Sequence, residues 1–149
     1  MIYLTNSETD TFGFGCALGA CLKAGDCVLL TGDLGAGKSV LARGIAHAHG
    51  VTGAMPSPTF VLMIPYDGDV KIYHFDLYRL SDPDEFYQAG LEEFIGGDGI
   101  ALIEWPQMAD MHPAGAVQVE IRRGAGDDDR VIEVTGLTDE KLDAWRAEE

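Results

Sequence analysis

The stretch Gly32-Asp33-Leu34-Gly35-Ala36-Gly37-Lys38-Ser39 fits G-x-x-x-x-G-K-[ST] at every position, and no other feature limits the fold as strongly. The pattern needs a strand before it and a helix after it. Both are legible here. Cys27-Val28-Leu29-Leu30-Thr31 is a short, continuously apolar run, the form of a strand covered on both faces. Lys38 to about His49 reads as a helix closed by Gly50. Phosphate chemistry explains the residue types. Glycines let consecutive backbone N–H groups turn inward around an anion, and the positive end of the following helix strengthens the field. In such a turn Lys38 reaches the β- and γ-phosphates, and the Ser39 hydroxyl ligates Mg²⁺.

The flanking sequence alternates strand-like and helix-like segments. Ser7 can cap a helix running to about Lys23, although Gly13, Gly15 and Gly19 weaken it, and Gly25 ends it. Residues 61–66 and 70–75 flank Asp67-Gly68-Asp69, which predicts a hairpin. Ser81 or Asp82 followed by Pro83 starts a helix reaching about Ala89. Ile100 to Ile103 is a second buried-type strand. Val117–Arg122 and Arg130–Thr135 pair around a polar segment, and Thr138 can cap a last helix over 139–146. The expected fold class is α/β: a three-layer P-loop NTPase-like domain over residues 1–149, with a mainly parallel central sheet and added antiparallel strands.

Composition excludes several functions. Ten Lys+Arg against 25 Asp+Glu give a net charge of −15. A nucleic-acid backbone is repelled by such a surface, so direct binding to RNA or DNA is not expected. No apolar run approaches the ~20 residues of a membrane span, and Met1 to Glu8 carries no secretory signal. Cys16, Cys21 and Cys27 are odd in number and fit no zinc spacing, so they read as buried thiols of a cytoplasmic protein.

A P-loop also needs an acid to hold the metal and a group to position the nucleophile. Glu104 directly follows the Ile100–Ile103 run, at the strand end where α/β proteins bind ligands; a solvated strand-end acid is the other reading. Asp76 closes the second hairpin strand, with His74 on the same face. It fits the orientation of attacking water, the binding of Mg²⁺ through water, or a structural ion pair with Arg79. Ser57-Pro58-Thr59-Phe60 is a stiff turn whose Thr59 hydroxyl either reaches the γ-phosphate or the metal or makes an ordinary turn hydrogen bond. His47, His49 and His112 lack ligand spacing. An Asn-Lys-x-Asp guanine-reading motif is absent, which disfavours a GTPase.

Taken together, the loop Gly32–Ser39, Ser57-Pro58-Thr59-Phe60, His74-Phe75-Asp76-Leu77-Tyr78-Arg79-Leu80 and Glu104-Trp105-Pro106 closely resemble the TsaE family of small bacterial P-loop ATPases. The match in order and spacing runs from about Thr11 to Gln107. The resemblance implies a role in making threonylcarbamoyladenosine next to the anticodon of tRNA, alongside TsaD and TsaB, with tRNA met only through those partners. It implies ATP and Mg²⁺ as ligands and the backbone of Gly32, Asp33, Leu34, Gly35, Ala36, Gly37, Lys38, Ser39 and Val40 as the nucleotide cradle. Lys38 would hold the phosphates, Ser39 and Glu104 the metal, and Asp76 would support hydrolysis. Thr11 matches a threonine close to the nucleotide, and Tyr78, Arg79 and Trp105 match its surroundings or a partner face.

Two positions depart from the family pattern. Ser39 stands where threonine is commoner and keeps the hydroxyl. Val40 replaces a frequent hydroxyl residue, removing one hydrogen bond to phosphate worth ~1 kcal/mol. Hydrolysis by the chain alone is expected to be slow, because the sequence offers no evident arginine finger. Two rivals stay open at this point: a small-molecule kinase and a non-catalytic nucleotide-sensing subunit.

Overall fold

The phosphate-loop pattern demands a strand, a turn and a helix in immediate succession, and the computed structural model, which describes residues 1–53, 55 and 62–147, has them. Strand β1 (Ile2–Thr5) leads into α1 (Glu8–Ala20), then β2 (Cys27–Thr31) and α2 (Lys38–His47). The hairpin β3 (Met63–Tyr66) and β4 (Lys71–Asp76) is followed by α3 (Pro83–Gln88) and β5 (Gly99–Glu104). Strands β6 (Val117–Arg123) and β7 (Arg130–Thr135) come last. Short 3-10 turns lie at Leu91–Phe94, Pro106–Ala109 and Glu140–Trp145.

One sheet joins all seven strands in the order β1-β7-β6-β2-β5-β4-β3. The central four, β6-β2-β5-β4, are parallel, and antiparallel strands extend both sides. This is the expected parallel core with antiparallel additions. Two-residue alternation splits each central strand between two cores. Val28, Leu30, Ile72, Ile100 and Leu102 meet Phe14 and Leu18 of α1 and Leu41 and Ile45 of α2. Cys27, Leu29, Phe75, Ala101 and Ile103 face the other way, toward Phe86 of α3 and Ala109. The sheet is therefore the middle of three layers.

Several expectations change in detail. Two of the three glycines that seemed to weaken α1, Gly15 and Gly19, are where it touches α2. A Cβ on Gly15 would sit 2.8 Å from the Leu41 carbonyl oxygen, and one on Gly19 would sit 2.6 Å from that of Ile45. Their absent side chains permit the helices to pack backbone to backbone. Ser7 does cap α1, accepting from the Asp10 amide, but the helix ends at Ala20 rather than near Lys23. The last segment is a six-residue 3-10 turn capped by Asp139 instead of an α-helix capped by Thr138. Strand β1 was not anticipated; Tyr3 and Thr5 point inward, and its partner β7 lies more than a hundred residues downstream.

Candidate phosphate-binding site

At the C-terminal edge of β2 the chain leaves Thr31 for the glycine loop. Gly32, Gly35 and Gly37 have φ of +148°, +77° and +116°, values that side-chain-bearing residues rarely adopt. A Cβ on Gly32 would also collide with the Ile121 carbonyl oxygen of β6. Gly37 is the N-cap of α2 and supplies no side-chain hydrogen bond, so the first-turn amides of that helix are left to whatever binds there.

Lys38 is buried at this turn. Its ammonium donates to the carbonyl oxygens of Gly32 (2.5 Å) and Asp33 (3.0 Å) and lies 4.4 Å from the centre of the Trp105 ring. Burial pulls its pKa below the ordinary lysine value, while the charges of Glu104, Asp76 and Asp33 push back. Ser39 follows on the exposed first turn of α2.

The two carboxylates come from neighbouring parallel strands. In the register of β4 and β5, Asp76 lies directly beside Glu104, and Leu30 of β2 is Glu104's partner on the other side. Strand pairing thus sets both acids beside the loop's point of departure. They are 7% and 4% exposed, so Glu104 is not the solvated strand-end acid that the sequence left open. The Asp76 Oδ1 accepts the Tyr78 amide at 3.0 Å, and the Glu104 Oε2 is 2.6 Å from the His74 Nε2. Trp105, at φ +58°, turns the chain sharply out of β5 into Pro106 and packs against Tyr78, ring centres 4.9 Å apart. A single cleft is lined by Leu34, Lys38, Ser39, Asp76, Arg79 and Glu104, with Tyr78 and Trp105 at its wall.

Thr11 is not in that cleft. Its hydroxyl is 2.7 Å from that of Thr5, and it borders a smaller depression behind the loop with Gly35, Gly37, Val40 and Arg130. Thr59 lies outside the described residues. His49 bonds to the Gly19 carbonyl, and among the described residues no group of three or more His, Cys, Asp or Glu side chains could hold a metal by itself. A Ser39 hydroxyl and a Glu104 carboxylate in one cleft are nonetheless the hard oxygen donors that suit Mg²⁺, which takes few protein ligands and fills its shell with water and phosphate.

Sequence reasoning missed the loop's supports. The Arg130 Nε donates to the Ala36 carbonyl at 2.7 Å, and its Nη1 donates to Asp127 and Asp129 carbonyls at 2.8 Å each. Arg123 reaches the Leu34 carbonyl at 3.4 Å. Both arginines belong to strands β6 and β7, about 90 residues downstream, and no local pattern announces such a contact. All three cysteines are free; burial pushes Cys27 up to about 12 and Cys21 up to about 11, so both thiols stay protonated near neutrality. No described helix is long and apolar enough to cross a membrane.

Comparison with known proteins places the chain in a family. The family model for threonylcarbamoyl adenosine biosynthesis protein TsaE matches residues 5–132. The tRNA threonylcarbamoyladenosine biosynthesis protein TsaE of Bacillus subtilis is 41% identical over 120 residues, covering 79% of this chain and 74% of that protein. The protein of the same name from Rickettsia bellii is 39% identical over 135 residues, covering 89% and 92%. The crystal structure of YdiB from Bacillus subtilis superposes with a TM-score of 0.74 at 34% identity, covering 89% of this chain and 82% of that one. With a match of this extent, the chain belongs to the TsaE family of threonylcarbamoyl adenosine biosynthesis proteins.

Proposed function

We propose that this chain binds and hydrolyses ATP with Mg²⁺, and that it does so as a subunit required, with TsaD and TsaB, to make threonylcarbamoyladenosine in tRNA. The observation that carries the reading is the convergence of Lys38, Ser39, Asp76 and Glu104 on one cleft at the C-terminal edge of the parallel strands. The names of the relatives supply the pathway.

In this reading the amides of residues 32–40 cradle the phosphates, and the Lys38 ammonium leaves its loop carbonyls for the β- and γ-phosphate oxygens. Ser39 and Glu104 would hold a magnesium ion, whose charge would offset that developing on the phosphates. Asp76 orients water for in-line attack; it stands beside Glu104 and is held by the Tyr78 amide. Thr11 belongs to the surroundings of the nucleotide, in the depression that it lines with Gly35, Gly37 and Val40. Arg130 and Arg123 are occupied with loop carbonyls, in keeping with slow turnover until a partner completes the site. The acidic surface fits a subunit that meets tRNA through other proteins.

The decisive experiment reconstitutes tRNA modification with TsaD and TsaB and compares wild type with Lys38→Ala, following phosphate release in parallel. Loss of both modification and phosphate release is expected. Full modification by the lysine variant would overturn the ATPase role. Modification retained by Glu104→Gln or Asp76→Ala, with hydrolysis abolished, would leave a nucleotide-sensing subunit.

A further inference from the structure

We infer that His74 is a positioning residue: it fixes the Glu104 carboxylate for metal binding. The inference rests on the reading of Glu104 as a magnesium ligand. The two side chains come from adjacent parallel strands and share the sheet face that carries Ile72, Ile100 and Leu102. Both are almost wholly buried, at 3% and 6% side-chain exposure, and the His74 Nε2 lies 2.6 Å from the Glu104 Oε2.

Three observations separate this contact from ordinary core packing. First, the His74 Nδ1 is buried and has no hydrogen-bond partner among the described residues. An apolar side chain between Ile72 and Leu102 would avoid that penalty, so the imidazole is held at a cost that only its other nitrogen offsets. Second, a carboxylate oxygen accepts, so the His74 Nε2 is the donor of this bond. His74 therefore donates to one carboxylate oxygen, and Glu104 Oε1 has no hydrogen bond among the described residues. Ligating carboxylates are commonly held in this way by a second hydrogen bond. Third, the Lys38 ammonium makes no ion pair with Glu104 among the described residues, although Glu104's charge acts on it. Tethering Oε2 keeps the acid from closing onto the ammonium that must serve phosphate.

The test measures binding of a fluorescent, non-hydrolysable ATP analogue with excess Mg²⁺ and again with EDTA; their ratio is the metal-dependent gain. His74→Gln places an amide N–H near the Nε2 position, whereas the shorter His74→Asn reaches only the Nδ1 position. We expect the asparagine variant to lose about tenfold or more of the metal-dependent gain while keeping its affinity in EDTA. The glutamine variant should stay within about threefold of wild type. A full gain in the asparagine variant, or an equal loss in the glutamine variant, overturns the inference. Affinity in EDTA reports whether each variant is folded; if the asparagine variant melts below the assay temperature, the glutamine variant decides alone, by retention or loss. Glu104→Gln is run alongside. If it leaves the gain untouched, the assignment of Glu104 as ligand fails first and takes this inference with it. If it removes the gain while His74→Asn does not, only the role of His74 fails.

Discussion

Replacing Gly44 by alanine sets helix propensity against packing, and the structure gives the magnitude of each. Gly44 lies inside α2, so propensity alone favours alanine by about 0.5–1 kcal/mol. The added Cβ, however, would lie 2.5 Å from the Phe12 carbonyl oxygen and 2.9 Å from both the Cys16 nitrogen and the Gly15 Cα. All three are backbone atoms of α1 and have no rotamer to change. Relief requires the helices to separate by most of an ångström, and overpacking of this kind costs about 1–3 kcal/mol. The net is a destabilisation on the order of 1–2 kcal/mol, or a fall in Tm of roughly 2–8 °C for a chain of this size. Gly13 is the control, because its Cβ would meet only the Trp145 ring at 3.8 Å, an ordinary contact. Gly13→Ala should keep the propensity gain and raise Tm by a few degrees. Thermal unfolding of both variants by circular dichroism decides the matter. A rise in Tm for Gly44→Ala, or the same sign for both, would refute the close helix crossing.

Other outcomes follow from the site and its supports. Arg130→Ala removes donors to the Ala36, Asp127 and Asp129 carbonyls and should weaken nucleotide affinity about tenfold, on the order of 1–2 kcal/mol, in a binding titration. Arg130→Lys should not restore it, since a single ammonium lacks the planar fork. The Cys27 thiol, raised by burial to about 12 from 9.0, binds its proton more tightly folded than unfolded. Its contribution is complete below pH 9 and is lost as pH rises toward 12, at about 1.4 kcal/mol per unit. Denaturant unfolding at pH 8 and pH 10.5 should show this loss in wild type and a smaller one in Cys27→Ala; equal losses would contradict it. At pH 8 the native Cys27 should also resist alkylation that proceeds readily in denaturant.

Local pattern made the central fold readable. An uninterrupted apolar run, a glycine loop and a capped helix each announce themselves within ten residues, and β2, α2 and β5 stand where they were expected. Features that depend on distant partners were not readable. β1 is four residues long and is a strand because β7 pairs with it. Gly15 and Gly19 of α1 look like propensity defects until α2 is laid across them. The two acids were visible as strand-end carboxylates, but their adjacency is a property of parallel register, and the bond from His74 to Glu104 spans 30 residues. The arginine supports of the loop stayed hidden for the same reason.

The seven-stranded sheet guards both of its flanks. Beyond β1, Tyr3 forms a bridge with Arg146 and the Ala147 amide donates to the Ile2 carbonyl, so the tail of the chain takes up bonds that an outside strand would seek. On the opposite flank β3 carries Pro65, which has no N–H to offer a newcomer. Recruitment by strand addition is thereby discouraged on either side, which leaves the helices and loops as the surfaces open to a partner.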